Sequence, residues 1–298
     1  MGLHRFLAII TVTLLGGLVL AVWFLPASED FRAENTLWNG ISRLGAGYPY
    51  RSLDSLSGLP PEPPGATLIT IPYTDYAAAE LEQLKSFVTR GGRLILADDY
   101  GYGNRVLEYL GLGARFSGAV LLDPLVNYKN ENFPRIIHLE PDPLTENYDN
   151  LAFNHATGLT DVPAGNILAL SSSFSYLDSN GDGTQQEDEP AGPLPVISRH
   201  EIGRGQVVLV ADPSIFINGM EDIGGNAAFI KNIVATSPSL YIDQSHLKAS
   251  ELHRTRSWLG QARRLLATPV GTVLLVITAI TAALAPLRHR KSPDVRPA

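Results

Sequence analysis

The chain has 298 residues, a formal net charge of −7 and no cysteine. This length allows one large domain or two ordinary ones with accessory segments. The acidic balance argues against a nucleic-acid-binding protein, which needs a basic face, and the lack of cysteine excludes disulfides, thiolate metal sites and cysteine nucleophiles.

The chain opens with an uncharged apolar run at residues 6–25. About 20 residues of helix span roughly 30 Å, the thickness of the hydrocarbon core of a bilayer. Trp23 and Phe24 stand where an interfacial aromatic belt would place them. The run therefore predicts a transmembrane helix over residues 6–25. The alternative is a cleaved signal peptide, whose apolar region is usually shorter.

Residues 33–243 alternate short apolar segments with amphipathic ones, which predicts β–α–β crossovers and a mostly parallel sheet. Strands are expected at residues 66–72 and 93–99, and a helix at residues 36–47 that ends at a glycine. The helix between the two strands has an apolar stripe formed by Leu81, Leu84, Phe87 and Val88.

The second strand ends at Asp98 and Asp99, and Gly101, Gly103 and Asn104 follow it. Open α/β sheets bind ligands just beyond the ends of their strands, so residues 98–104 are a candidate cleft. The third glycine of a dinucleotide fingerprint is missing. The alternative is purely structural: Asn104 caps the next helix and the glycines form turns.

Residues 117–165 are rich in proline, asparagine and aromatic residues, and they are predicted to be an insertion of short strands and loops over the end of the sheet. A hairpin is expected to turn at residues 203–205, and a last helix near residues 224–237. His155 and His200 are lone histidines that favour structural or exposed roles. Ser214 is expected to cap a short helix.

The acidic loop at residues 178–189 matches the twelve-residue calcium loop, with Gly183 at its turn. The prediction is a calcium cofactor held by Asp178, Asn180, Asp182, Thr184, Gln186 and Glu189. Prolines after the loop argue against an EF-hand, so a weak structural site is expected, with a dissociation constant on the order of 10⁻⁴–10⁻³ M. The alternative is a solvated acidic hairpin tip.

Residues 250–264 carry four arginines and Trp258, which predicts a juxtamembrane amphipathic segment. An ordinary solvated linking helix is the alternative. The uncharged run at residues 265–287 predicts a second transmembrane helix. The distribution of Lys and Arg then predicts a two-pass membrane protein with both termini in the cytoplasm and an extracytoplasmic central domain.

The segments at residues 91–118, 151–159, 203–220 and 224–233 together resemble domain of unknown function 4350. This prokaryotic family consists of membrane-anchored domains related to class I glutamine amidotransferases. The resemblance covers residues 35–235 and implies a flavodoxin-like or Rossmann-like three-layer α/β sandwich with no established activity. It also implies an association with gliding-type transport systems and with MoxR-type ATPase genes. Amidotransferase chemistry needs a cysteine nucleophile, and this chain has none.

Three functional hypotheses follow. The first is a non-enzymatic extracytoplasmic binding or scaffold domain, braced by calcium, that is an accessory subunit of an envelope or transport-related membrane complex. Its expected partners are the lipid bilayer and other membrane or envelope proteins, with no nucleic acid. The second is a small-molecule receptor or a hydrolase-like enzyme that uses the cleft at residues 98–104. The third is a cytoplasmic orientation with a contact to a MoxR-type ATPase.

Overall fold

The computed structural model describes residues 3–25, 27–248 and 250–288. The chain divides into two compact units, one of Met1–Leu25 with Ala249–Ala298 and one of Pro26–Lys248. The larger unit is a mixed α/β domain built around an eight-stranded sheet. The described part of the smaller unit is helical.

The strands are β1 (Arg51–Leu53), β2 (Ala66–Thr70), β3 (Arg93–Ala97), β4 (Arg115–Phe116), β5 (Val120–Leu122), β6 (Arg135–Ile136), β7 (His138–Leu139), β8 (Leu151–Ala152), β9 (Leu159–Thr160), β10 (Ile167–Leu170), β11 (Tyr176–Asp178), β12 (Pro195–Ile202), β13 (Gly205–Val210) and β14 (Ser239–Asp243). The α-helices are α1 (Leu3–Phe24), α2 (Ser42–Gly47), α3 (Ala78–Thr89), α4 (Asn104–Leu110), α5 (Asn226–Ala235), α6 (Glu251–Leu266) and α7 (Pro269–Arg288).

The large sheet has the strand order β1-β14-β2-β3-β13-β12-β10-β7. Neighbouring strands from β1 to β13 are parallel, and those from β13 to β7 are antiparallel. Because parallel strands point the same way, β14, β2, β3 and β13 all end at one edge of the sheet. We call it the carboxyl edge, and the polar residues that follow these strands meet there.

Helix α3 connects β2 to β3 and covers the sheet with the predicted apolar stripe. Leu81, Leu84, Phe87 and Val88 are all buried, as the spacing predicts. The helix begins where the carboxylate of Glu80 accepts a hydrogen bond of 2.8 Å from the backbone N–H of Ala77. It ends before Gly91, whose φ of +112° suits a residue without a Cβ.

The predicted hairpin at residues 203–205 is present between β12 and β13. Strand β13 also pairs in parallel with β3, so the sheet changes from antiparallel to parallel at this strand. Gly205 makes the arrangement possible, because a Cβ there would lie 2.2 Å from the carbonyl oxygens of Val88 and Gly92. The end of α3 and the start of β13 therefore pack backbone against backbone.

The predicted insertion at residues 117–165 consists of short strands and loops. Small two-stranded sheets form from β4 with β9, β6 with β8, and β5 with β11. Strand β7 instead pairs with β10 and becomes the outer strand of the large sheet. The segment thus both covers the sheet and extends it.

The prediction of two transmembrane helices, at residues 6–25 and 265–287, is wrong. Within residues 3–25, 27–248 and 250–288, no helix combines the length and the apolar character needed to cross a membrane. The predicted second run is divided between two helices, because α6 ends at Leu266 and α7 begins at Pro269. Between them, the hydroxyl of Thr268 accepts a hydrogen bond from the N–H of Gly271 in the first turn of α7. The predicted two-pass localisation, with an extracytoplasmic domain and cytoplasmic termini, is wrong for the same reason.

Helix α6 covers the residues for which an amphipathic segment was predicted. The hydroxyl of Ser250 accepts a hydrogen bond of 3.0 Å from the N–H of His253 and so caps the helix. Within this unit the guanidinium of Arg256 donates to the carbonyl of Val22 at 2.7 Å, and that of Arg263 lies over the ring of Trp23 at 5.8 Å from the centroid. These contacts join α6 to α1.

Candidate functional site

The acidic loop after β11 is organised by its own backbone. The Asp178 carboxylate, almost fully buried, accepts hydrogen bonds from the N–H groups of Gly181, Asp182 and Gly183 at 2.7, 3.2 and 2.9 Å. The Glu189 carboxylate, also buried, accepts from the N–H groups of Ser179 and Gln186 at 2.7 and 3.2 Å. Both carboxylates thus hold the turn closed.

The remaining predicted calcium ligands bond to one another. The Asn180 amide donates to Gln186 at 2.7 Å, the Gln186 amide donates to Asp182 at 2.6 Å, and the Thr184 N–H donates to Asp182 at 2.8 Å. Across the described residues, no group of three or more His, Asp or Glu side chains is arranged to hold a metal ion. The prediction of a calcium-binding loop is therefore wrong. Asp and Asn also build hydrogen-bonded turns, so the pattern alone does not distinguish the two structures.

Asp98 lies directly after β3 and holds the loop that follows. Its carboxylate accepts hydrogen bonds from the N–H groups of Tyr100, Gly101 and Gly103 at 2.9, 3.1 and 2.6 Å. The side chain is buried. Burial raises the pKa of Asp98, while the backbone hydrogen bonds act to lower it. Asp98 is therefore a structural residue of the candidate cleft.

The structural alternative predicted that Asn104 caps α4, and this prediction is wrong. Asn104 is the first residue of the helix, and Gly103 precedes it as the N-cap. The Asn104 side chain instead accepts a hydrogen bond of 2.8 Å from the N–H of Phe116 and donates one of 2.9 Å to the carbonyl of the same residue. It thereby attaches β4 to the loop after β3.

Asp99 differs from Asp98 because it faces a cavity. No described side chain donates a hydrogen bond to its carboxylate, which lines a cavity of about 160 Å³ at the carboxyl edge. Burial, followed by the charge of Asp98, raises the pKa of Asp99 from 3.8 to about 7. A carboxyl group in this state exchanges its proton near neutral pH and pairs with a cation when it is charged.

Aromatic rings form much of the wall around Asp99. The ring of Tyr73 stacks on Phe31 with centroids 5.7 Å apart, and it meets Tyr100 edge to face at 5.7 Å. The ammonium group of Lys248 lies over the ring of Tyr73, 5.5 Å from its centroid. Burial raises the pKa of Tyr73, and the charge of Asp99 is the next cause. Tyr73 therefore stays a neutral phenol beside the Asp99 carboxylate.

The sequence reasoning missed one wall of the cavity, which residues 27–41 supply. Residues 36–47 were predicted to be helical, but α2 begins only at Ser42. Before it, the side chain of Asn35 accepts from the N–H of Leu37 at 2.8 Å and donates to the carbonyl of Glu29 at 2.8 Å. This folds the segment into turns that present Asp30 and Trp38 to the cavity. The asparagines in this stretch were the available signal.

A larger cavity of about 810 Å³ adjoins the smaller one. Both are lined by Trp38, Asn154, His155 and Ile217, and we call the two together the edge groove. The rest of the larger cavity is lined by Tyr128, Lys129, Phe133, Gly219, Met220 and Ile223. Its walls are thus mainly apolar and aromatic.

The other residues singled out from the sequence lie in different parts of the domain. His155 is exposed in the groove, with φ of +54° and its Nδ1 2.8 Å from the amide oxygen of Asn154. His200 is buried beside Ser198, its Nε2 3.0 Å from the hydroxyl, and burial lowers its pKa. Ser214 is not a cap, because the Asp212 carboxylate accepts from its N–H at 2.7 Å.

Asp212 completes the polar layer under the groove. Its buried carboxylate also accepts a hydrogen bond of 2.7 Å from the N–H of Asn154, which ties the insertion to the end of β13. Burial raises the pKa of Asp212 well above its ordinary value. The carboxyl edge therefore holds Asp98 and Asp212 in its floor and Asp99 in its opening.

A family model described as domain of unknown function (DUF4350) matches residues 40–234, which is more than half of the chain. No protein of curated function matches the chain in sequence.

Among solved structures, the chain is similar to the mmIFT52 N-terminal domain, with 16% identity and a TM-score of 0.45 over 65% of this chain and 86% of that one. It is similar to a β-galactosidase from Bacillus circulans sp. alkalophilus, with 16% identity and a TM-score of 0.35 over 58% of this chain and 23% of that one. A putative ThuA-like protein from Bacteroides uniformis has 10% identity and a TM-score of 0.33 over 64% of this chain and 95% of that one.

Proposed function

We propose that this chain, which belongs to the DUF4350 family, is a non-enzymatic binding domain whose small-molecule ligand occupies the edge groove. The observation that carries this proposal is the junction of two cavities at the carboxyl edge, with Asp99 at one end. Open α/β sheets bind ligands at this edge. Binding sites for small molecules are concave and mainly apolar, with a few polar groups that fix orientation.

The proposal includes a relationship to the class I glutamine amidotransferase fold. Support comes from the neighbouring parallel strands and from the polar residues that follow β3 and β13. Without any cysteine, the chain would retain the binding edge of such a fold and not its nucleophile. The predicted association with other proteins stays a prediction.

The test is a fragment-binding measurement on the full chain. A library of neutral, cationic and anionic fragments is screened by ligand-observed NMR, and each hit is repeated with Trp38→Ala. The matched control is Trp258→Ala, because Trp38 and Trp258 have similar exposed fractions, 68% and 66%, and Trp258 lies on α6.

We expect the hits to bind wild type and Trp258→Ala equally and to lose at least tenfold in affinity with Trp38→Ala. Fragments that bind all three proteins equally, or a library without a hit, would overturn the proposal. The hydrolase-like alternative is separated by recovering each bound fragment: chemical conversion that stops with Asp99→Asn would favour an enzyme.

A further inference from the structure

The smaller cavity of the edge groove has an excess of negative charge. Asp30 and Asp99 line it, none of the described lining residues is Lys or Arg, and the nearby Lys248 ammonium lies over the ring of Tyr73. Asp98 lies close enough for its charge to raise the pKa of Asp99, and the charge of Asp99 in turn raises the pKa of the buried Asp212. A ligand group placed here meets an environment that favours positive charge.

The carboxylate of Asp99 is partly buried; a hydrogen bond from its own backbone N–H acts to lower its pKa, and no described side chain donates to it. Partial burial of a charged carboxylate is unfavourable unless a cation or donors compensate it. Asp98, by contrast, receives three backbone hydrogen bonds. An ammonium or guanidinium group of a ligand would donate hydrogen bonds to Asp99, as the backbone N–H groups do to Asp98.

The walls around Asp99 suit a cation for a second reason. Cations bind over the faces of aromatic rings within about 6 Å of the centroid. The Lys248 ammonium already occupies such a position over Tyr73, which shows that this wall accommodates an ammonium group. Trp38 and Tyr100 are largely exposed, and their rings remain open to a ligand.

The larger cavity provides room for the rest of the molecule. It is reached along the shared residues Trp38 and Ile217, and its walls include Phe133, Met220 and Ile223. An apolar body placed there is stabilised because its surface is removed from water. The groove therefore joins an end that contains Asp30 and Asp99 to one that is mainly apolar.

From this arrangement we propose that the ligand of the edge groove is an organic cation, whose ammonium or guanidinium group pairs with Asp99 and whose apolar body lies in the larger cavity. The inference rests on the proposed function, because it names the ligand class of the same groove. It adds a requirement for positive charge that a general binding groove does not have.

The pH dependence of binding is a direct consequence. Asp98 is the charged group that acts on Asp99, and Asp99 in turn acts on the buried Asp212. The titratable groups that line the same cavity are Asp30, Tyr73, Tyr100 and His155, and Lys248 lies over Tyr73. Because burial and Asp98 raise the pKa of free Asp99 to about 7, the carboxylate is mainly charged at pH 8 and mainly neutral at pH 6. Cation affinity is expected to fall about tenfold between these pH values.

The experiment uses three probes of similar size on the full chain: 2-phenylethylamine, 2-phenylethanol and 3-phenylpropionate. Affinities are measured by isothermal titration at pH 8 and pH 6 for wild type and for Asp99→Asn, which removes the charge and keeps the shape. The matched control is Asp54→Asn, because Asp54 follows β1 directly, is exposed and lines neither cavity.

We expect wild type and Asp54→Asn to bind the amine at least tenfold more tightly than the alcohol at pH 8, with the acid weakest. Asp99→Asn should bind amine and alcohol equally, and its affinity for the amine should not change between pH 8 and pH 6. Equal or tighter binding of the alcohol or the acid by wild type would overturn the cation inference and leave the proposed function intact. Failure of all three probes, together with a fragment library without a hit, would overturn both.

Discussion

The imidazole Nδ1 of His246 lies 2.6 Å from the carboxylate Oδ2 of Asp243, at the end of β14. The hydroxyl of Thr70 donates to the same carboxylate at 2.8 Å, and the ring of Tyr76 stacks on the imidazole at 3.9 Å. Glu80, which caps α3, lies 3.4 Å from the other imidazole nitrogen. This buried network joins β2, α3 and β14.

Replacing the imidazole should destabilise the domain in a pH-dependent way. Burial acts to lower the pKa of His246, but Asp243 and Glu80 outweigh it and raise the pKa above 6.5. A raised histidine pKa gives stability that is fully present below about pH 6.5 and is lost as the pH rises through the folded-state pKa. His246→Gln should therefore cost about 3 kcal/mol at pH 6 and less at pH 9.

Guanidinium chloride unfolding at the two pH values measures this effect. His138→Gln is the control, because His138 is exposed on the outer strand β7. An equal loss for His246→Gln at pH 6 and pH 9 would mean that the charge of the imidazole does not contribute.

Asp99→Asn should stabilise the domain above neutral pH. Burial and the charge of Asp98 raise the pKa of Asp99 from 3.8 to about 7, so the folded state binds more protons than the unfolded state between these values. Stability then falls as the pH rises through this window. Because the side chain is partly exposed, we expect the variant to gain about 1 kcal/mol at pH 8 and nothing at pH 4. Unfolding by urea at both pH values is the measurement, and a gain of the same size at pH 4 would contradict the assignment.

Asp98→Asn should have the opposite effect. The amide keeps one acceptor, but its NH₂ group would face the N–H of Gly103 or those of Tyr100 and Gly101. A buried hydrogen bond to a charged group is worth roughly 1.5–3 kcal/mol. We expect a loss of about 2 kcal/mol in the free energy of unfolding at pH 7, with Asp54→Asn unchanged. A variant as stable as wild type would show that the carboxylate does not hold the loop.

Local patterns predicted the parts of the fold that local forces determine. The apolar stripe of α3 and the hairpin at residues 203–205 follow from the spacing of side chains and from glycine, and both are present. The wall of the groove formed by residues 27–41 depends on distant contacts. The amide of Asn218 donates to the carbonyl of Leu37 at 2.6 Å, and the N–H of Asn218 donates to the carbonyl of Gly40 at 2.7 Å. No periodicity in residues 36–47 reports such contacts.

The candidate site shows the same division. Asp99 was singled out because it follows a strand, which is a local signal, whereas its difference from Asp98 depends on which carboxylate faces the backbone. The spacing of oxygen-bearing side chains in the Asp178 loop fits both a metal site and a closed turn. The sequence pattern therefore led to the calcium prediction. In the structure the backbone N–H groups of the loop donate to Asp178 and Glu189, and these hydrogen bonds close the turn.

Gly205→Ala should strongly destabilise the domain. The added Cβ would lie 2.2 Å from the carbonyl oxygens of Val88 and Gly92, both of which belong to the backbone and cannot rotate away. Overpacking of this kind costs about 1–3 kcal/mol. Gly165→Ala is the matched control, since a Cβ there meets nothing within 4 Å. Thermal unfolding of both variants is the measurement, and equal melting temperatures would contradict the close approach of α3 and β13.

Asp178→Ala should loosen the acidic loop without unfolding the domain. The Asp178 carboxylate accepts from the N–H groups of Gly181 and Gly183, so its removal should speed the hydrogen exchange of these amides at least tenfold. Asp188→Ala is the control, because Asp188 is exposed in the same loop. Wild type should keep its protection in the presence of EDTA, since carboxylate oxygens within the loop accept these hydrogen bonds. Amide exchange followed by NMR tests both points, and protection that disappears with EDTA would show that the loop needs a bound cation to close.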